Sequence, residues 1–251
     1  MNEDMTSKER IEEKHFDHFA IKYDQTHYMS NFSLFKQQKK IQSVVGIANI
    51  LDKKKLKILE IGCGTGQYTR HLAQNYRNNK IIAIDISRNM LNIAGEYCEE
   101  LSNVEFVKGS VYALPFEENS VDAIFGFYIL HHLDLGLTCK EVYRVLRPGG
   151  VCCFVEPNIV NPLVWLIKSN KYLKNLVGDS PDEWAINPFT ISKNFSTFKS
   201  IHISTSEFLL PLSIFPLEWQ IRIDKIVTKI CSIWPVKYFG GSTTIAFKKE
   251  E

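Results

Sequence analysis

The sequence predicts an α/β fold in which a mostly parallel, doubly wound sheet carries helices on both faces. Three observations lead there. Short runs rich in Ile, Val and Leu alternate with helical patterns over residues 56–156, and such alternation demands crossovers that leave neighbouring strands parallel. Those runs are apolar throughout rather than at every second residue, as strands covered on both faces are. A glycine-rich turn over residues 62–66 follows the first run, at the place where sheets of this kind bind nucleotides.

The elements follow in order along the chain. Residues 8–24 set Ile11, Phe16, Phe19, Ala20 and Tyr23 close to a helical stripe, and a second helix is expected over 33–51. LKILEI (56–61) is the first strand, 66–76 a helix, and KIIAID (80–85) the second strand. Ser87 can cap a helix running to residue 100. VEFVKG (104–109) and VDAIFGF (121–127) are strands three and four. A helix over 137–146 is stopped by RPGG, and VCCFVE (151–156) is strand five.

After Pro157 the alternation breaks. Residues 162–177 look helical, a loop with Pro181 and Pro188 follows, and a helix is expected near 190–198. SIHISTSEFLL (200–210) reads as the sixth strand and STTIAFKK (242–249) as the last. Between them lies an apolar segment. It sets Trp219, Ile223, Ile226, Val227, Ile230, Ile233 and Trp234 on one side of a helix, with Arg222, Lys225, Lys229 and Ser232 mostly on the other. Three readings stay open for it: a helical cap buried on the domain, a hydrophobic lid over an apolar substrate, or a surface resting on a membrane or a second subunit. The division expected is a helical lid over 1–55, then a domain over 56–251 with helical cap insertions near 157–198 and 209–240.

Composition narrows the function. With 45% hydrophobic and 23% charged residues among 251, the chain can bury a core. A formal net charge of +2 lacks the electrostatic footprint of a nucleic-acid binder. The opening MNEDMTSKERIEEK is charged and unlike a secretory signal, and no apolar run reaches the ~18 residues of a membrane span. Six cysteines show no CxxC pairing, which suits reduced thiols in a cytoplasmic protein. Cys152 and Cys153 would point to opposite faces of strand five and cannot grip one metal together. No metal-ligand spacing is visible elsewhere.

The turn itself discriminates among nucleotides. A dinucleotide loop reads GxGxxG, which would need glycine at 67, where this chain has Gln67. Asp85, nineteen residues after Gly66 at the end of strand two, can accept from a ribose diol. Glu60, inside strand one, would be repelled by a pyrophosphate but attracted by an ammonium or a sulfonium. S-adenosylmethionine carries both cations and an adenosine.

ILEIGCGTGQYT, IIAIDIS, VEFVKGSVYALPFEENSVDAIFGFYILHHL and VYRVLRPGGVCCFVEPN, together with FDHFAIKYD near the N-terminus, resemble the successive motifs of class I S-adenosylmethionine-dependent methyltransferases. The likeness is to the small-molecule branch that includes quinone-biosynthesis C-methyltransferases, and it covers roughly residues 56–158. It implies a Rossmann-like, seven-stranded sheet with its last strand antiparallel, an N-terminal helical lid and helical insertions. By position, Glu60, Gly62, Cys63 and Gly64 would surround the methionine part of S-adenosylmethionine, and Asp85 would take the ribose. Ile86 and Met90 would pack on adenine, Ser110 and Val111 would lie at its edge, Phe127 would back the cofactor, and Tyr23 would reach its carboxylate. The family commonly has Asp where this chain has Ser110.

Methyl transfer brings its own leaving group, so the protein aligns the nucleophile and, where needed, removes its proton. Candidate bases at the strand carboxyl ends are His131, His132 and Glu156, with Tyr128 beside them. The partner expected is a small molecule, apolar or lipid-like, with no nucleic acid, no membrane span and a monomer or homodimer. Two other functions are compatible with the residues: a catalytically silent methyltransferase-like binding module and an NAD-dependent oxidoreductase.

Overall fold

The computed structural model describes residues 6–27, 30–50, 55–177, 179, 183–208, 215–231 and 233–251, with the backbone alone at 21–27, 200 and 201. Helices α1 (Ser7–His27) and α2 (Asn31–Ile47) precede the sheet. Then come β1 (Lys57–Ile61), α3 (Gln67–Asn75), β2 (Lys80–Asp85), α4 (Arg88–Tyr97), β3 (Val104–Lys108), β4 (Val121–Phe127), α5 (Leu135–Val145) and β5 (Leu146–Pro157). The remainder is α6 (Pro162–Ser169), α7 (Lys171–Val177), α8 (Ile191–Asn194), β6 (Lys199–Ser206), α9 (Leu217–Cys231) and β7 (Ser242–Lys248).

The strands form one seven-stranded sheet in the order β3-β2-β1-β4-β5-β7-β6. The strands β1 to β5 run parallel, and β7 runs antiparallel to both β5 and β6. This is the doubly wound arrangement that the apolar strands predict, with the last strand reversed. The order turns back between β1 and β4, which opens a crevice at their carboxyl ends.

Side-chain alternation sorts the core into two layers. Leu59, Ile61, Ile124, Cys152 and Phe154 face one side with α5 and α8. Ile58, Ala123, Phe125, Cys153 and Val155 face the other with α2 and α3. The adjacent cysteines thus part to opposite faces, as a strand requires. Ser87 caps α4 by accepting from the Met90 N–H at 3.1 Å.

Three elements differ from expectation. RPGG does not separate a helix from a strand: β5 already pairs at Leu146, shifts register before Val151, and Gly149 absorbs the irregularity at φ +73°. The helix expected over 162–177 is two, because the Asn170 side chain accepts from the N–H groups of Tyr172 and Leu173 and starts a new helix. The sixth strand stops at Ser206, since Glu207 takes a left-handed backbone at φ +63°.

The apolar side of α9 does not face inward. Its buried residue is Asp224, which accepts from Lys39 of α2 at 2.6 Å. Trp219, Ile226 and Ile230 are exposed, as is Trp234 beyond the helix end. No helix among the described residues is long and apolar enough to cross a membrane.

Candidate active site

The glycine turn leaves β1 at the crevice. Gly62, Gly64 and Gly66 all have positive φ, which L side chains resist. A Cβ on Gly62 would come within 2.4 Å of the Ile129 side chain, so the turn presses directly on the segment after β4. The N–H groups of Gly62 and Cys63 both donate to the Ile84 carbonyl, at 2.8 and 3.1 Å, and tie the turn to β2. Asp85, at the end of β2, accepts from Gly64 N–H at 2.8 Å and Ser87 N–H at 2.9 Å. Burial pushes its carboxyl up in pKa, and these two N–H groups work against that.

A cavity opens over this turn, lined by Gly62, Cys63, Gly64, Asp85, Ile86, Met90, Val111 and Phe127 among others. These cofactor residues expected from the sequence are brought together. Two of the described ones, Glu60 and Ser110, are not among its walls. Glu60 lies on the same strand face as Ile58, where its carboxyl accepts from the Thr69 hydroxyl at 2.7 Å. Burial raises its pKa to about 8, against the opposing hydrogen bond. Ser110 donates to Glu9. The side chain of Tyr23 lies outside the described residues.

Sequence reasoning expected a helical lid here but missed the acidic face of α1, which borders the cavity. Its carboxylates meet the strand ends in a row. Glu9 meets Ser110, Glu12 Oε2 lies 3.3 Å from His132 Nδ1, Glu13 pairs with Lys108 at 2.7 Å, and Asp17 accepts from Ser87 and the Asn89 N–H. Glu9, Glu12 and Phe16 also line the cavity. Their spacing of three or four residues is the available signal: it makes one acidic helix face.

A second chamber of about 300 Å3 adjoins the first, and Phe16, Tyr68, Tyr128 and His132 border both. Tyr68 stacks on Phe127 with ring centroids 4.0 Å apart. Tyr128 holds a left-handed backbone at φ +58°, a strained state that needs its surroundings. Its hydroxyl contacts Ser242 at 2.8 Å and donates to Glu207 at 3.2 Å.

The histidine pair sits in a 3-10 turn, Leu130–His132. His131 Nδ1 lies 2.6 Å from Glu156 and Nε2 lies 3.1 Å from Glu183. Glu156 also accepts from the N–H groups of Ile129 and Leu130 at 3.0 and 2.8 Å, which locks this turn onto β5. Burial pushes the His131 pKa down, but the two carboxylates overcome it and raise it to about 9. For His132, burial and the neighbouring His131 charge lower it. Burial would raise Glu183, yet both histidines and Lys168 hold it low. His131, His132 and Glu183 could geometrically share an ion, but a protonated His131 offers no lone pair, and Lys168 already lies against Glu183.

The comparisons agree with this geometry. Residues 58–150 match a methyltransferase domain family. A demethylmenaquinone methyltransferase of Lactococcus lactis is 31% identical over 182 residues, covering 70% of each chain. The chain belongs to the class I S-adenosylmethionine-dependent methyltransferases. A demethylmenaquinone methyltransferase of Staphylococcus aureus is also 31% identical, over 62% of this chain and 64% of that protein. In fold, this methyltransferase is similar to a methyltransferase of Thermotoga maritima, with a TM-score of 0.69 at 17% identity over 95% and 99% of the two chains. It is also similar to the [4+2]-cyclase SpnF, with a TM-score of 0.66 at 15% identity over 98% and 97%.

The cavity of this methyltransferase suits S-adenosylmethionine. Asp85 offers carboxylate lone pairs to a diol, Ile86, Met90 and Val111 give an apolar slot, and a Cβ at Gly64 in the turn would meet only open space.

Proposed function

We propose that this methyltransferase methylates a small molecule seated in the second chamber, with His132 as the base that takes the acceptor's proton. The position of His132 carries the reading: it borders both chambers, where donor and acceptor must meet. When bound, S-adenosylmethionine supplies an electrophilic methyl group on a sulfonium.

The chain's residues divide the remaining work. Asp85 orients the ribose, Ile86, Met90 and Val111 hold the base, and the turn at Gly62, Cys63 and Gly64 receives the amino-acid end. Behind that turn, an approaching ammonium favours the charged form of Glu60. Glu9 takes the edge position assigned by sequence to Ser110. Tyr68 and Phe127 form the wall that aligns the sulfonium, and Tyr128 shapes the passage between chambers. His131 and Glu156 act as positioning residues: their ion pair fixes the turn and keeps the neighbouring His132 neutral.

The names of the relatives support an acceptor of quinone type, whereas most residues that line the second chamber carry polar or charged groups. The reading adopted is therefore an acceptor with polar groups where it enters the chamber, in a cytoplasmic protein. Calorimetry tests the donor half: S-adenosylhomocysteine should bind and NAD should not. Binding of NAD alone would reject it.

A further inference from the structure

The α2 side of the second chamber is built unlike a core. Ser33, Lys36, Gln37 and Lys40 recur at helical spacing and all face the chamber, where a packed helix would present apolar residues. Gln37 is 2% exposed, yet neither its amide nitrogen nor its oxygen has a hydrogen-bond partner among the described residues. A buried carboxamide without partners is costly, and a ligand would complete it.

The charges around Gln37 indicate which ligand. Lys36 and Lys40 both place their ammonium groups 2.9 Å from the same oxygen, Oε1 of Glu207. The other oxygen of Glu207 meets the hydroxyls of Tyr128 and Ser242. Two ammonium groups thus share one carboxylate, and among the described residues this end holds an unbalanced positive charge. At the far end Lys168 lies between Asp179 and Glu183, and His131 between Glu156 and Glu183. Among the described residues, three carboxylates there meet two cations. The chamber is polarised, positive at α2 and negative toward Glu183.

We propose that the α2 end of this chamber binds a carboxylate of the methyl acceptor, which makes the acceptor a small organic acid. Lys36 and Lys40 balance its charge, and the Gln37 amide donates to one of its oxygens. The Gln37 carbonyl accepts from a hydroxyl or amine that the acceptor bears nearby. This rests on the reading of the second chamber as the acceptor site.

The test titrates acid–amide pairs into protein loaded with S-adenosylhomocysteine: salicylate against salicylamide, and sarcosine against sarcosinamide. At least one acid should bind about tenfold or more tightly than its amide, as hydrogen bonds to a charged group allow. Lys36→Met and Gln37→Leu should each erase that preference and leave S-adenosylhomocysteine affinity unchanged, since neither residue borders the cofactor cavity. Equal binding of acid and amide, binding of neither acid, or a preference that survives both variants would overturn the proposal. If S-adenosylhomocysteine itself fails to bind, the functional reading falls instead. The acid–amide comparison on the unloaded protein then still decides this inference.

Discussion

His131 and His132 are neighbours in the chain with ring centroids 4.2 Å apart, and their surroundings drive their proton affinities in opposite directions. Two carboxylates hold the proton on His131. Burial and that charge keep His132 neutral. A pair pushed apart in this way separates a fixed charge from a usable base.

A rate profile follows from the lowered pKa of His132. Methyl transfer should rise with pH through a value below the ordinary 6.5 and then level off, because the base works only when neutral. His132→Gln should lose about 10²–10⁴-fold in kcat, the usual contribution of a positioned base, with S-adenosylhomocysteine affinity little changed. A variant that keeps full rate would remove His132 from the chemistry.

Stability should carry the opposite signature of His131. Its folded pKa of about 9 lies above the ordinary 6.5, so its contribution is complete below 6.5 and disappears as pH rises through about 9. His132, with its lowered pKa, contributes above 6.5 and loses that contribution on acidification. The melting temperature should fall between neutrality and about pH 9, and His131→Gln should flatten that fall. An unchanged slope in the variant would mean that other groups set it.

The contact between Glu9 and Ser110 predicts a selectivity. Ser110 gives its hydroxyl proton to Glu9 and accepts from the Tyr112 N–H at 3.0 Å, so the carboxylate is the better acceptor left at the adenine edge. S-adenosylhomocysteine should bind more tightly than S-inosylhomocysteine, which has no amino group to donate, and Glu9→Gln should reduce the difference. The expected change is about 1.5–3 kcal/mol, that of a hydrogen bond to a charged group. Calorimetry of both ligands on both proteins closes the cycle, and equal discrimination in the variant would clear Glu9 of the role.

Gly62→Ala should damage fold and binding together. Its φ of +66° penalises any L side chain by about 1–2 kcal/mol, and the new methyl would meet Ile129 at 2.4 Å. Relieving that overlap moves either the turn or the segment after β4, at about 1–3 kcal/mol more. Urea denaturation measures the first effect and S-adenosylhomocysteine titration the second. A stable variant with native affinity would show that the turn can shift freely.

The fold and the cofactor turn were legible in the sequence because each rests on local rules. Ile, Val and Leu runs make buried strands, and positive φ selects the glycines. What lies across the site was less legible. Glu9 meets Ser110 across one hundred and one positions of chain, a pairing no local period encodes. Glu60 was correctly placed on β1, but only the structure shows that alternation turns it toward Thr69 rather than into the cavity. In α9 the period gave the helix and its stripe, yet periodicity does not say which side meets the protein.

That side can be tested directly. Of the three readings open for the α9 stripe, a cap buried on the domain would bury Ile226 and Ile230, whereas the structure exposes both and buries Asp224 against Lys39. An exposed aliphatic residue has little transfer energy to lose, so Ile226→Ser should change stability by no more than about 0.5 kcal/mol. Ile245→Ala, at a fully buried position in β7, should cost about 2–5 kcal/mol through lost transfer energy and the cavity left behind. The two variants compared by urea denaturation give a contrast that neither gives alone. S-adenosylhomocysteine affinity should stay native in Ile226→Ser, because α9 does not line the cofactor cavity. If Ile226→Ser destabilises as much as Ile245→Ala, the stripe is covered in solution, and the reading of α9 as a buried helical cap holds.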